Sequence, residues 1–105
     1  MSILSLTFHC TPEKIKEWEK YVNDTLILMT ENLMDVDHYI LSEVESDYIQ
    51  EGKNYNLLLI FDNNDLRKDF MESEMKNIAE HITKEFADQV MIFDTHLNPL
   101  KKRLQ

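Results

Sequence analysis

The hydrophobic residues of this chain repeat with two different periods, in an order that leaves few folds open. Leu4, Leu6, Phe8 and Cys10 alternate with Ser5, Thr7 and His9, the period-two pattern of a half-buried strand over 3–10. Thr11-Pro12 then supplies an N-cap residue and a proline for the first helical position. From there Ile15, Trp18, Val22, Leu26, Met29 and Leu33 recur at steps of three and four, the stripe of an amphipathic helix. The end of this helix is obscured, because Ile27, Leu28 and Met34 thicken the stripe and no glycine marks a C-cap.

A second strand is expected over 37–46, with Tyr39 and Leu41 on one face and Ile40 and Val44 on the other. The polar stretch from Ser46 to Asn54 holds Gly52, the only glycine, and reads as a hairpin loop. The third strand, Tyr55 to Phe61, is apolar on both faces, as suits a central strand covered on both sides. Asp62-Asn63-Asn64-Asp65 offers helix caps, and Leu66, Phe70, Met71, Met75, Ile78, Ile82 and Phe86 form the inner stripe of a second helix. The last strand runs over 90–97, with Met91, Phe93 and Leu97 on one side and Val90, Ile92, Asp94 and His96 on the other. Pro99 ends it. The order β-α-β-β-α-β predicts an α+β, ferredoxin-like sandwich: a four-stranded antiparallel sheet in the order 4-1-3-2, with both helices on one face. Residues 1–98 form the one expected domain, and 99–105, with Lys101-Lys102-Arg103, a basic solvated tail.

Composition narrows the function classes. The chain has 105 residues, 43% of them hydrophobic, enough for one core. Eleven Lys and Arg against 20 Asp and Glu give a net charge of −9. That balance argues against nucleic acid, whose phosphates need a basic face, and against an anionic membrane surface. The longest apolar run, Leu57 to Phe61, is far too short to span a bilayer. The first residues lack a basic segment and a long apolar segment, so no signal peptide is expected. The single cysteine, Cys10, cannot close an intrachain disulfide, which fits a reducing cytoplasmic location, and it reads as a small buried apolar residue. One glycine leaves no glycine-rich phosphate loop, and no Ser-His-Asp or Cys-His arrangement stands out. No cofactor is implied. Trp18, on the inner stripe, is expected to anchor the core.

With both helices on one side, the other sheet face must meet solvent, a ligand or a second subunit. The residues assigned to that open face are Thr7, His9, Leu58, Ile60, Ile92, Asp94 and His96, with Leu57 and Leu59 the alternative pair from the third strand. So many aliphatic side chains favour burial in a homodimer. Asp94 and His96 alternate on one strand face and could offer two metal ligands. His9 is expected opposite Val90, however, and His96 opposite Ile3, about 20 Å apart, so no metal site is assigned. His81 and Glu85 stand at i and i+4 and suggest a surface ion pair. His38 is expected opposite Asp62. Residues 21–52 hold eight Asp and Glu and no Lys or Arg, so acid gathers along the second strand. Such an edge should repel its own copy, leaving the sheet face for dimerisation.

The stretch Lys84-Glu85-Phe86-Ala87-Asp88-Gln89-Val90-Met91-Ile92-Phe93-Asp94-Thr95-His96-Leu97 resembles the closing pattern of the short bacterial proteins called domain of unknown function 4286: an aromatic, a glycine turn, an acidic residue, then an apolar strand with Phe-Arg-Thr. Glu17-Trp18 with Tyr21-Val22 is similar to that family's paired aromatics on the first helix. Three departures stand out. Ala87 occupies the place of the glycine, Asp94 that of the arginine, and Leu26-Ile27-Leu28 that of a His-Ile-Pro segment. The resemblance implies a ferredoxin-like fold and no established activity. Together these readings point to a small homodimeric binding or interaction module without recognisable catalytic residues. The alternative is a cofactor-independent monooxygenase or isomerase of the dimeric α+β barrel type, with a pocket between sheet and helices lined by His9, Asp94 or His96.

Overall fold

The structure, a computed structural model, describes residues 1–46 and 51–104. Its four strands are β1 (Ser2–Cys10), β2 (His38–Glu43), β3 (Lys53–Phe61) and β4 (Val90–Leu97). They form one antiparallel sheet in the order β2-β3-β1-β4, the expected 4-1-3-2 read from the other edge. β2 is shorter than the expected 37–46, although Asp37 N and Val44 N still bond to Ile60 O and Asn54 O beyond its two ends. Of the expected hairpin loop, residues 47–50 lie outside the described residues.

Four helices cover one sheet face: α1 (Ile15–Tyr21), α2 (Ile27–Glu31), α3 (Asn64–Glu72) and α4 (Glu74–Phe86). α1 and α2 are one rod joined by a π-helical stretch, Val22–Leu26. The sequence explains the π turn. Trp18, Val22, Leu26 and Thr30 are all buried and stand four apart. In a plain α-helix each four-residue step drifts about 40° around the axis. Widening one turn to the π form absorbs the drift and keeps all four against the sheet. Pro12 opens the rod in a 3-10 turn, but Thr11 makes no side-chain cap, and its buried hydroxyl has no partner among the described residues. Asn63 does cap α3, its Oδ1 accepting from Leu66 N at 2.9 Å.

The core lies between helices and sheet. Leu4, Leu6, Phe8 and Cys10 of β1 and Leu57, Leu59 and Phe61 of β3 are fully buried beneath Trp18, Leu26, Phe70 and Ile82. Trp18 sits at the centre of an aromatic group, stacked on Tyr21 at 5.5 Å, edge-on to Phe86 at 5.4 Å and tilted against Phe8 at 5.5 Å. Each such contact adds about 0.5–1.5 kcal/mol beyond the area it buries. Arg67 is also buried, on the inner side of α3. Its guanidinium donates to Ile3 O at 2.9 Å, Leu97 O at 3.1 Å and Asn98 Oδ1 at 3.1 Å, tying α3 to the end of the β1–β4 pair. Lys53 of β3 bridges Glu19 at 2.9 Å and Glu43 at 3.1 Å, and these two carboxylates hold its ammonium well above the usual lysine range.

Two backbone positions need glycine-like freedom. Gly52 has φ +83°, and a Cβ there would collide with the Cys10 carbonyl oxygen. Ala87, at the end of α4, has φ +52° and ψ −129°, close to the first central position of a type II′ turn, where glycine is strongly preferred. The sequence resemblance expects glycine at this place. Ala87→Gly should therefore stabilise the fold by about 1 kcal/mol and raise the thermal midpoint by about 4–8 °C. Calorimetry at fixed protein concentration checks this; an unchanged or lowered midpoint would show that the turn carries no strain.

Candidate functional site

Strand register decides which side chains share a face. β1 pairs with β3 as Ile3↔Ile60, Ser5↔Leu58, Thr7↔Asn56 and His9↔Asn54. It pairs with β4 as Ile3↔Leu97, Ser5↔Thr95, Thr7↔Phe93 and His9↔Met91. β2 adds His38↔Ile60, Ile40↔Leu58 and Ser42↔Asn56. Thr7, His9, Leu58 and Ile60 thus lie on the open face, as expected. Ile92, Asp94 and His96 do not. They pair with Phe8, Leu6 and Leu4, on the side of the helices.

The reason is a slip of one residue. The expected pairs, His9 with Val90 and Ile3 with His96, become His9 with Met91 and Ile3 with Leu97. A one-residue slip turns every side chain of a strand to the opposite face. Val90 and Ile92 pack against the core, whereas Asp94 and His96 are exposed, with His96 Nε2 3.6 Å from Asp94 Oδ2. His96 lines a shallow cavity with Asn64, Arg67 and Met71 of α3. His38 pairs with Ile60, not Asp62, and contacts its neighbour Asp37 at 3.5 Å.

The open face has a definite pattern. One end is an apolar row across three strands, Ile60, Ile3 and Leu97, backed by Ile40 and Leu58. Along β4, beyond Thr95 on the same face, Phe93 and Met91 add a second apolar stretch. Ile40 is 55% exposed, Phe93 53%, Met91 45% and Leu97 41%. Inside this L-shaped border lies a polar patch whose groups satisfy one another. Asn56 Nδ2 donates to Ser5 Oγ at 2.8 Å and to Thr7 Oγ1 at 3.3 Å. His9 Nδ1 lies 2.5 Å from Asn54 Oδ1, a contact that places a ring proton on Nδ1. Internally paired polar groups can be covered by a partner at little cost.

A second feature lies on the helical side and was not legible in advance. The Tyr21 hydroxyl lies 2.6 Å from His81 Nδ1, linking α1 to α4. His81 therefore meets Tyr21 in place of the expected ion pair with Glu85. The pair borders a groove of about 410 Å³, edged by Lys14, Glu17, Asp24 and Glu85 and floored by Phe86. Burial, reinforced by the nearby Glu85 carboxylate, pushes the Tyr21 hydroxyl up from its ordinary value. Tyr21 is thus a neutral hydrogen-bonding group at physiological pH, not a phenolate base. The two residues stand 60 apart in sequence, and only their positions beside the inner stripes, next to Val22 and Ile82, hint that they meet. Arg67 was missed for a similar reason, since its place on the stripe between Asn63 and Phe70 is masked by its charge.

Cys10 is fully buried, and its thiol points to Thr11 O at 3.4 Å. Burial, followed by Glu17, Glu13 and Glu19, pushes the thiol up from 9.0 to about 11. The folded state holds this proton more tightly than the unfolded chain. Its contribution to stability is therefore complete below pH 9 and is lost as pH rises through about 11. Iodoacetamide at pH 8 should leave native Cys10 unmodified and alkylate it fully in denaturant, read by mass spectrometry. Rapid alkylation of the native protein would contradict the burial.

Among the described residues, no three His, Cys, Asp or Glu side chains converge, and no helix is long and apolar enough to cross a membrane. Residues 1–100 match the family described as Domain of unknown function (DUF4286). Comparison with curated proteins finds no match. Among solved structures, HapK from Hahella chejuensis superposes with a TM-score of 0.67 at 9% identity, covering 100% of this chain and 98% of that one. A dimeric ferredoxin-like protein from an uncultured marine organism gives 0.66 at 9% identity over 100% of both chains. A Deinococcus radiodurans protein provisionally described as an antibiotic biosynthesis monooxygenase gives 0.62 at 15% identity, again over 100% of both.

Proposed function

The chain belongs to the domain of unknown function 4286 family, and we propose that it acts as a homodimeric binding or interaction module whose two copies pack sheet against sheet. The carrying observation is the L-shaped apolar border around a satisfied polar patch. Seven apolar side chains, Ile3, Ile40, Leu58, Ile60, Met91, Phe93 and Leu97, share one uncovered face. A monomer rarely leaves that many apolar side chains on one uncovered face in water. A twofold partner offers the same face and hides both at once. A ferredoxin-like neighbour described as dimeric supports a dimer as such.

Edge-to-edge pairing through β2 is less favourable. Asp37, Glu43 and Glu45 stand on or beside that outer strand, and a second copy would bring the same charges. The alternative, a cofactor-independent monooxygenase or isomerase, draws on the provisional description of the Deinococcus neighbour. It needs a cavity between sheet and helices lined by converging polar groups. That layer is instead filled by Trp18, Phe8, Leu57 and Leu59, each fully buried. His9 faces the open side while Asp94 and His96 face the helical side, so the three cannot converge within one chain. The geometry therefore favours the interaction reading.

Sedimentation equilibrium at micromolar concentration should give twice the 12.6 kDa chain mass. Phe93→Asp or Ile60→Asp should raise the dimer Kd at least about a hundredfold, because each would bury an unpaired carboxylate. A monomeric unmodified protein would overturn the assembly.

A further inference from the structure

The segment after β4 offers a contact that the sheet face alone does not explain. It leaves β4 at Leu97 and crosses the end of the sheet. Pro99, Leu100 and Lys101 lie beside Met1, next to β1, and Lys102 and Leu104 reach Asp37, His38 and Ile60 at the far edge. It thus runs along the end where the open face carries its apolar row of Ile60, Ile3 and Leu97. Yet its own leucines stay largely uncovered. Leu100 is 101% exposed and Leu104, although it borders a cavity with Ile60, is 64% exposed. Two largely exposed leucines thus stand beside an apolar row.

Charge points to the same occupant. Lys101, Lys102 and Arg103 make this segment the most basic in the chain, while residues 1–98, with eight Lys and Arg against 20 Asp and Glu, carry −12. Two such bodies repel on approach. A basic segment at the rim of the open face, next to the acidic start of β2, would offset that repulsion where the copies meet.

Resting on the dimer proposed above, we infer that residues 99–104 are an arm that reaches onto a second copy of this chain, laying Leu100 and Leu104 against the partner's apolar border and Lys101, Lys102 and Arg103 against its acidic β2 edge. The arm lies at the rim, so it tunes dimer strength and is not required for the chain to fold.

Two full-length variants test this, Leu100→Ser/Leu104→Ser and Lys101→Glu/Lys102→Glu/Arg103→Glu. Each should keep a native far-ultraviolet circular dichroism spectrum and raise the dimer Kd about tenfold or more by sedimentation. If both keep the unmodified Kd within about twofold while Phe93→Asp still breaks the dimer, the arm is overturned and the face-to-face dimer stands. If the unmodified chain is a monomer, both readings fall. The same leucine substitutions are also placed in the monomeric Phe93→Asp background. A lowered thermal midpoint there would mean that the segment packs on its own chain, which also overturns the arm.

Discussion

The open face depends on the register in which β1 pairs with β4. Antiparallel pairing fixes the face of each side chain through the parity of the register. With Thr7 opposite Phe93 and Cys10 opposite Val90, the core takes Val90 and Ile92 and the open face takes Met91, Phe93 and Leu97. One residue of slip would turn Phe93 to the helical side and Asp94 and His96 to the face that carries His9. Arg67 helps hold the register, because its guanidinium grips carbonyls of both strands at their shared end, Ile3 O and Leu97 O. Removing it would take a charged donor from two part-buried carbonyls at that end.

The helical layer makes the same choice from the other side. The π turn keeps Trp18, Val22, Leu26 and Thr30 on one line, and the aromatic group of Phe8, Trp18, Tyr21 and Phe86 fills the space above the β1 end of the sheet. A filled layer leaves no room there for a substrate. The open sheet face and the groove beside Tyr21 and His81 lie outside that layer. The polar patch of Ser5, Thr7 and Asn56, already hydrogen-bonded internally, can be covered without leaving donors stranded.

Much of this could be read from residue order. Clean alternation over Leu4, Leu6, Phe8 and Cys10 and the stripe from Leu66 to Phe86 fixed the element order, and two-sided apolarity marked β3 as central. The topology followed from right-handed crossovers. Part of the open face was also legible: Thr7 and His9 lie where the alternation of β1 puts them, whereas β3, apolar on both faces, offered Leu58 and Ile60 or Leu57 and Leu59, and the fold takes the first pair. The β4 part was not legible, because alternation gives the two faces of a strand and not which one meets the core. Both faces of β4 carry apolar residues at 90–93, so packing, not pattern, decides. The Tyr21–His81 contact was hidden for another reason: it joins two helices 60 residues apart, and its only local signal is position beside an apolar stripe. Ala87 shows the reverse case, where a resemblance to glycine-bearing relatives pointed to a positive φ that composition could not reveal.

What the sequence and the fold share is an acidic body with one sheet face on which apolar residues border a polar patch. In the proposed dimer, net charge opposes association except where Ile3, Ile60, Phe93 and their neighbours are hidden. The most direct measurement of that balance is an isotope-filtered NOE experiment on a mixture of labelled and unlabelled chains. If the open faces meet, intermolecular NOEs arise from the side chains of Ile3, Leu58, Ile60 and Met91 and from the Phe93 ring. Intermolecular contacts confined to α1–α4, or none at all at millimolar concentration, would contradict it.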